Sequence, residues 1–273
     1  MPGWGRGAST YANLVCTSGA YLQLNVDLKH RTILVTGAAQ GLGLGIAQRL
    51  AAAGACLVLA DCNPKVMDQL ANSVFAGSAT AVLNDLAEPG AAHELMCSAL
   101  AKVGHVDGLV NCAALSFHKP FLEMTLAEFD RVVAINQRAP YFLSQEFAKT
   151  LRAGTSDPCI VNIASVNAEI GNRNLTAYAS TKGGLLAMSR AMAVELAPRI
   201  RVATISPGAV LTKHTEDLIS KGDIDVQRLF SRQLLKGFIS VEEIGDLVAF
   251  LFGPSGKSVT GSNWIIDSGV TAQ

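Results

Sequence analysis

The chain has 273 residues, room for one large domain or two small ones. Its 22 basic side chains are matched by 22 acidic ones, which excludes the clustered basic excess that holds a nucleic-acid backbone. Hydrophobic residues make up 49% and are rich in alanine, glycine and valine, a composition suited to a buried parallel sheet, yet no apolar run reaches the roughly 18 residues that span a bilayer.

Residues 1–26 stand apart, with no acidic group and one arginine, Arg6. They lack the continuous apolar core of a signal peptide and the arginine richness of a transit peptide. They read as a tail or subunit-contacting arm, an ordered extension and an upstream-start artefact being the alternatives. From Asp27 onward short apolar runs alternate with helical patterns. Strands are expected at 32–36, 56–60, 79–84, 106–113, 159–165, 200–206 and 263–267, and helices at 43–54, 64–75, 89–103, 126–152, 176–197 and 240–252. Apolar strands separated by helices predict a single doubly wound α/β domain over 27–273, with a parallel sheet covered on both faces. The six cysteines have no metal-type spacing and several lie in apolar runs, so no metal site is expected and a reduced, cytoplasmic setting is.

The first strand runs into TGAAQGLGLG, with glycines at 37, 41 and 43. A glycine turn between a strand and a helix lets backbone approach a pyrophosphate and aims the helix N-terminus at it. Asp61, at the end of the second strand, lies where an adenosine ribose belongs, so the pattern predicts a dinucleotide cofactor. A carboxylate there accepts hydrogen bonds from both ribose hydroxyls and repels a 2′-phosphate. Ala38, Ala39, Gln40 and Cys62 offer no compensating charge, and Pro64 directs Lys65 into the next helix. The cofactor expected is therefore NAD rather than NADP. Further on, Tyr178 and Lys182 are four residues apart on a helix and leave the same face. A phenol titrates near pH 10, and an ammonium held beside it lowers that value.

The ordered set of motifs resembles the short-chain dehydrogenase/reductase family from about Asp27 to the end. Thr36-Gly37-Ala38-Ala39-Gln40-Gly41-Leu42-Gly43 matches the family's cofactor signature, and Asp85-Leu86 resembles its adenine-contacting pair. Asn111-Cys112-Ala113-Ala114 sits where the family usually has N-N-A-G, with Cys112 and Ala114 as departures. Ala164 replaces a common serine, and Gly45 adds a glycine to the first helix. Pro207, Gly208, Val210 and Thr212 match the stretch beside the nicotinamide. Ser165, thirteen residues before Tyr178, and Asn136 complete the catalytic set with Tyr178 and Lys182.

The resemblance implies that Tyr178 is the base, that Lys182 tunes it and reaches the nicotinamide ribose, and that Ser165 binds the substrate oxygen. Asn136 would hold a water linking the lysine to solvent. A homo-oligomer, a tetramer above all, is implied through the helix that carries Lys182. The substrate site is expected from 115–120, the loop 166–174 and the segment 213–237. The polar loop, with Asn167 as a contact and Arg173 as a carboxylate partner, suits a sugar, polyol or hydroxy acid, solvation being the alternative. His118 reads as a rim or surface residue. An NADPH-dependent ketoreductase of carrier-bound acyl chains and a non-enzymatic dinucleotide sensor are the competing functions.

Overall fold

The computed structural model describes residues 26–273. Its strands are β1 (Thr32–Thr36), β2 (Cys56–Asp61), β3 (Ala79–Leu83), β4 (Gly108–Asn111), β5 (Cys159–Ile163), β6 (Arg201–Pro207) and β7 (Asn263–Ile266). They form one parallel sheet in the order β3-β2-β1-β4-β5-β6-β7. β1, β4, β5 and β6 are buried along their whole length, because helices cover both faces. The period-2 alternation of a strand sorts the core: Ile33 and Val35 join one apolar cluster and Leu34 the other.

The helices are α1 (Gly41–Ala52), α2 (Lys65–Asp68), α3 (Ala91–Val103), α4 (Leu126–Val133), α5 (Ala139–Thr150), α6 (Thr176–Leu196), α7 (Lys213–Lys221), α8 (Val226–Ser231) and α9 (Val241–Phe252). Capping boxes start two of them: Thr125 with Glu128 before α4, and Ser240 with Glu243 before α9. The helix expected at 64–75 is only α2 followed by two 3₁₀ turns, because Asn72 is extended and its side chain accepts from Val74 N–H, starting a new turn. The helix expected at 126–152 is broken by a π turn at Ala134–Arg138. Pro140 explains it: proline has no N–H for the Asn136 carbonyl four residues back. The helices α7 and α8 lie in a segment that carried no secondary-structure expectation. Val26, assigned above to the extension, packs against the core beside Gly253. The rest of the extension lies outside the described residues.

Gly45, the unusual glycine of α1, has a packing reason. A Cβ there would stand 2.8 Å from Val241 Cβ, and one on Gly245 of α9 would stand 2.6 Å from Arg49 Cγ. The two glycines let α1 and α9 cross closely enough for Arg49 Nε to reach Asp246 at 2.6 Å. Gly45→Val should therefore lower stability by about 1–3 kcal/mol, the usual cost of overpacking. Urea denaturation should show this, with Val241→Ala recovering part of the loss in the double variant.

Candidate active site

A cleft of about 630 Å³ opens at the C-terminal ends of the strands, where β1 and β4 diverge. Its phosphate end is built by the turn after β1. Gly37 has φ +71°, and a Cβ on it would lie 2.9 Å from Ala113 Cα. A Cβ on Gly43 would lie 2.1 Å from the Gly37 carbonyl oxygen, so only glycine permits this turn. The first N–H groups of α1 have no helical partner, and its first turn carries no acidic residue. The cradle suits an anion. Gln40, Gly41 and Leu42 complete its lining.

At the adenosine end Asp61 closes β2. Its Oδ2 accepts from Ala39 N–H and its Oδ1 from Asn63 N–H, both at 2.9 Å. The carboxylate thus braces the glycine turn while lining the cleft. Asp85 and Leu86 also line it. Asp85 accepts from Ala87 N–H and pairs with Arg131 at 3.0 Å, and these contacts hold its carboxyl below the usual range. Burial, and then the charges of Asp61 and Asp85, push the Cys62 thiol up. Arg131 and Cys62 are cleft residues that the motifs did not single out. Only the contact with Asp85, 46 positions away in sequence, identifies Arg131.

Ser165, Tyr178 and Lys182 meet on the cleft lining, which also holds Pro207, Gly208, Val210 and Thr212. The Lys182 ammonium donates to the Ile163 carbonyl at 2.7 Å and lies 5.6 Å from the Tyr178 ring centroid. The expectation that the lysine lowers the tyrosine's pKa needs correction for the protein alone. Burial pushes the Tyr178 phenol up to about 12, while the neighbouring Ser165 hydroxyl pulls it down. Burial also pushes Lys182 down to about 8. Both groups are stripped of water, and for each desolvation is the largest cause of the shift.

Four expected site residues lie off the cleft lining. Asn111 turns inward, donating to Ser144 Oγ at 3.2 Å and Asn162 Oδ1 at 2.8 Å, so it ties β4 to β5 and α5. Asn136 is fully buried; its side chain accepts from Leu115 N–H and donates to the Leu115 carbonyl, both at 2.8 Å, and donates to Thr181 Oγ1 at 3.1 Å. Asn167 does not contact the cleft; its donors go to Ser165 Oγ. Arg173 is exposed, because loop 166–174 folds outward, with Glu169 accepting from Asn263 and Asn172 from Arg232. Leu115, Ser116, His214 and Thr215 line the mouth instead. His118 is exposed and off the cleft lining, and desolvation first of all pushes its imidazole down.

The family model described as enoyl-(acyl carrier protein) reductase matches residues 37–271. L-xylulose reductase from Bos taurus is 35% identical over 250 residues, covering 91% of this chain and all of that protein. Among solved structures, a short-chain dehydrogenase/reductase described as glucose/ribitol dehydrogenase, from Brucella melitensis, superposes with TM-score 0.83 at 31% identity, covering 90% of this chain and 99% of that one. 4-Hydroxyisoleucine dehydrogenase complexed with NADH gives 0.82 at 29% identity, covering 89% and 99%.

Proposed function

The chain belongs to the short-chain dehydrogenase/reductase family of oxidoreductases acting on alcohols and ketones with a nicotinamide dinucleotide, and from that premise we propose that it uses NAD to interconvert a secondary alcohol and a ketone on a small polar molecule. The observation that carries this reading is the meeting of Ser165, Tyr178 and Lys182 on one cleft lining.

The cradle at Gly37, Gln40, Gly41, Leu42 and Gly43 would hold the pyrophosphate, Asp61 the adenosine ribose, and Asp85 with Leu86 the adenine. Ala113, Pro207, Gly208, Val210 and Thr212 would flank the nicotinamide. The bound dinucleotide accepts or supplies the hydride. Ser165 donates a hydrogen bond to the substrate oxygen and steadies charge there. The Tyr178 oxygen removes the hydroxyl proton in oxidation and returns it in reduction. In the protein alone its raised pKa keeps it protonated at neutral pH, the state that reduction needs. Lys182, tethered to the Ile163 carbonyl, keeps two further N–H donors for the ribose and for a water at the Asn136 carbonyl.

A sugar, polyol or hydroxy acid is the favoured substrate class. Ser116, His214 and Thr215 give the mouth hydroxyl and imidazole groups, and relatives are described as acting on xylulose, glucose or ribitol, and 4-hydroxyisoleucine. A cytoplasmic setting is supported by free thiols at Cys56, Cys62, Cys97, Cys112 and Cys159. Among the described residues no helix is long and apolar enough to cross a membrane. A homotetramer is supported by apolar side chains left exposed on α4, α5 and α6: Leu126 at 75%, Tyr141 at 46%, Phe142 at 47% and Val194 at 81%.

Xylitol, ribitol and 4-hydroxyisoleucine form the test panel, with reduced cofactor followed optically. Tyr178→Phe should lower oxidation at least about 100-fold while cofactor still binds. The wild-type oxidation rate should rise with pH as the phenol deprotonates, and this limb should vanish in the variant. Retention of a tenth of the wild-type rate, well short of the roughly 100-fold that a general base is worth, would remove Tyr178 from the reaction.

Asp61→Ala should weaken both cofactors, since Ala39 and Asn63 lose their acceptor. The ratio of kcat/KM for NAD to that for NADP should nonetheless fall sharply, because NAD also loses its ribose hydrogen bonds to the carboxylate while NADP loses a repulsion. Better use of NADP by the wild type refutes the NAD assignment.

Sedimentation velocity should find a tetramer. Replacement of Tyr141 and Phe142 by aspartate should shift it toward smaller species.

A further inference from the structure

Ser165 Oγ is the inner end of a hydrogen-bond chain that runs out of the cleft. It accepts from Asn167 N–H at 3.1 Å and from Asn167 Nδ2 at 3.2 Å. Asn167 Oδ1 accepts from Asn172 Nδ2 at 2.6 Å, and Asn172 Oδ1 accepts from Arg232 Nη1, just beyond α8, at 2.8 Å. The direction of this chain is set at its outer end. A guanidinium only donates, so the Asn172 oxygen must face Arg232 and its amine must face Asn167. Asn167 must then present its own oxygen to Asn172 and its amine to Ser165. Each amide orientation, which is ambiguous taken singly, follows from the arginine.

The consequence falls on one proton. A hydroxyl has two acceptor lone pairs and one O–H. With two Asn167 donors on its acceptor side, Ser165 has its O–H left for the cleft that it lines, where in the protein alone it faces the Tyr178 oxygen that a substrate oxygen would join. We infer that Asn167 and Asn172, anchored by Arg232, are positioning residues that hold Ser165 as an obligate hydrogen-bond donor toward the substrate oxygen. The inference rests on the proposed role of Ser165. It also gives loop 166–174 a task other than substrate contact: its polar side chains carry polarity from the α8 segment to the site.

The test is an order of effects that simple packing would reverse. Asn167→Asp keeps the shape but turns the facing group into an acceptor, so the Ser165 proton turns inward. Asn167→Ala leaves the backbone donor in place. Asn172→Asp, on an exposed residue, still pairs with Arg232 but cannot donate to Asn167, whose amide is then free to reverse. With whichever of xylitol, ribitol or 4-hydroxyisoleucine is oxidised fastest, Asn167→Asp should lower kcat on the order of tenfold, the kinetic equivalent of one hydrogen bond. Asn167→Ala should lose less, and Asn172→Asp should lose severalfold. KM, NADH binding followed by fluorescence and the melting temperature should stay near wild type in all three. In a Ser165→Ala background none of them should have any further effect.

Activity of Asn167→Asp equal to or above that of Asn167→Ala overturns the inference, as does a wild-type kcat in Asn172→Asp. If Ser165→Ala itself keeps wild-type turnover, the reading of the site fails. If Ser165→Ala is inactive and the aspartate variants are not, the positioning inference alone fails.

Discussion

The cleft depends on how β1 and β4 part, and one hydroxyl holds that parting. The β1–β4 ladder ends at Val35 opposite Val110. Beyond it Thr36 Oγ1 donates to the Val110 carbonyl at 3.3 Å and accepts from Cys112 N–H and Ala113 N–H at 3.1 Å each. All of its hydrogen-bonding capacity is used. The side chain thus continues the pairing that the backbone has dropped and draws the 112–113 loop against the glycine turn. Residue 37 must then lack a side chain, because Ala113 Cα already occupies the space. With the loop drawn in, the start of α1 lines the same cleft as Ser165 and Tyr178.

At the reacting end the dominant force is desolvation. Cys112 is pushed up to about 12 by burial and stays a neutral thiol. Tyr178 stays a phenol and Lys182 remains mostly an ammonium at neutral pH. The site therefore rests with one positive charge, held in place by the Ile163 carbonyl. A buried cation is costly to the fold but attracts developing negative charge on a substrate oxygen without solvent reorganisation.

The fold and the cofactor half of the cleft were legible in the sequence because their signals are local. Apolar runs marked every strand, and the glycine turn, Asp61, Asp85 and the stretch from Pro207 to Thr212 all line the cleft as expected. Strand ends were harder to place. β4 stops at Asn111 rather than at residue 113, because Thr36, far away in sequence, takes the next two N–H groups. Polar residues near a site were harder still. Asn111, Asn167 and Arg173 have suitable chemistry in suitable places, but side-chain direction sends them into the interior, to Ser165 and to solvent. The Arg232–Asn172 bond joins positions 60 apart, and no spacing rule announces such a pair.

The electrostatics of the adenosine end bear on cofactor choice apart from any motif. Cys62 follows β2 directly, and its thiol is pushed up first by burial and then by the negative charges of Asp61 and Asp85. Beyond burial, the part of that shift that comes from the two nearby carboxylates reports negative potential at that point of the cleft. A 2′-phosphate would add a dianion to the same field. Arg131, the cation on that side, is already paired with Asp85. Recruiting it to a phosphate would leave the Asp85 charge uncompensated, which deepens the same negative field. The proposed preference for NAD thus rests on the charge balance of three acidic or ionisable side chains and one arginine, of which Asp61 is the member nearest the expected ribose.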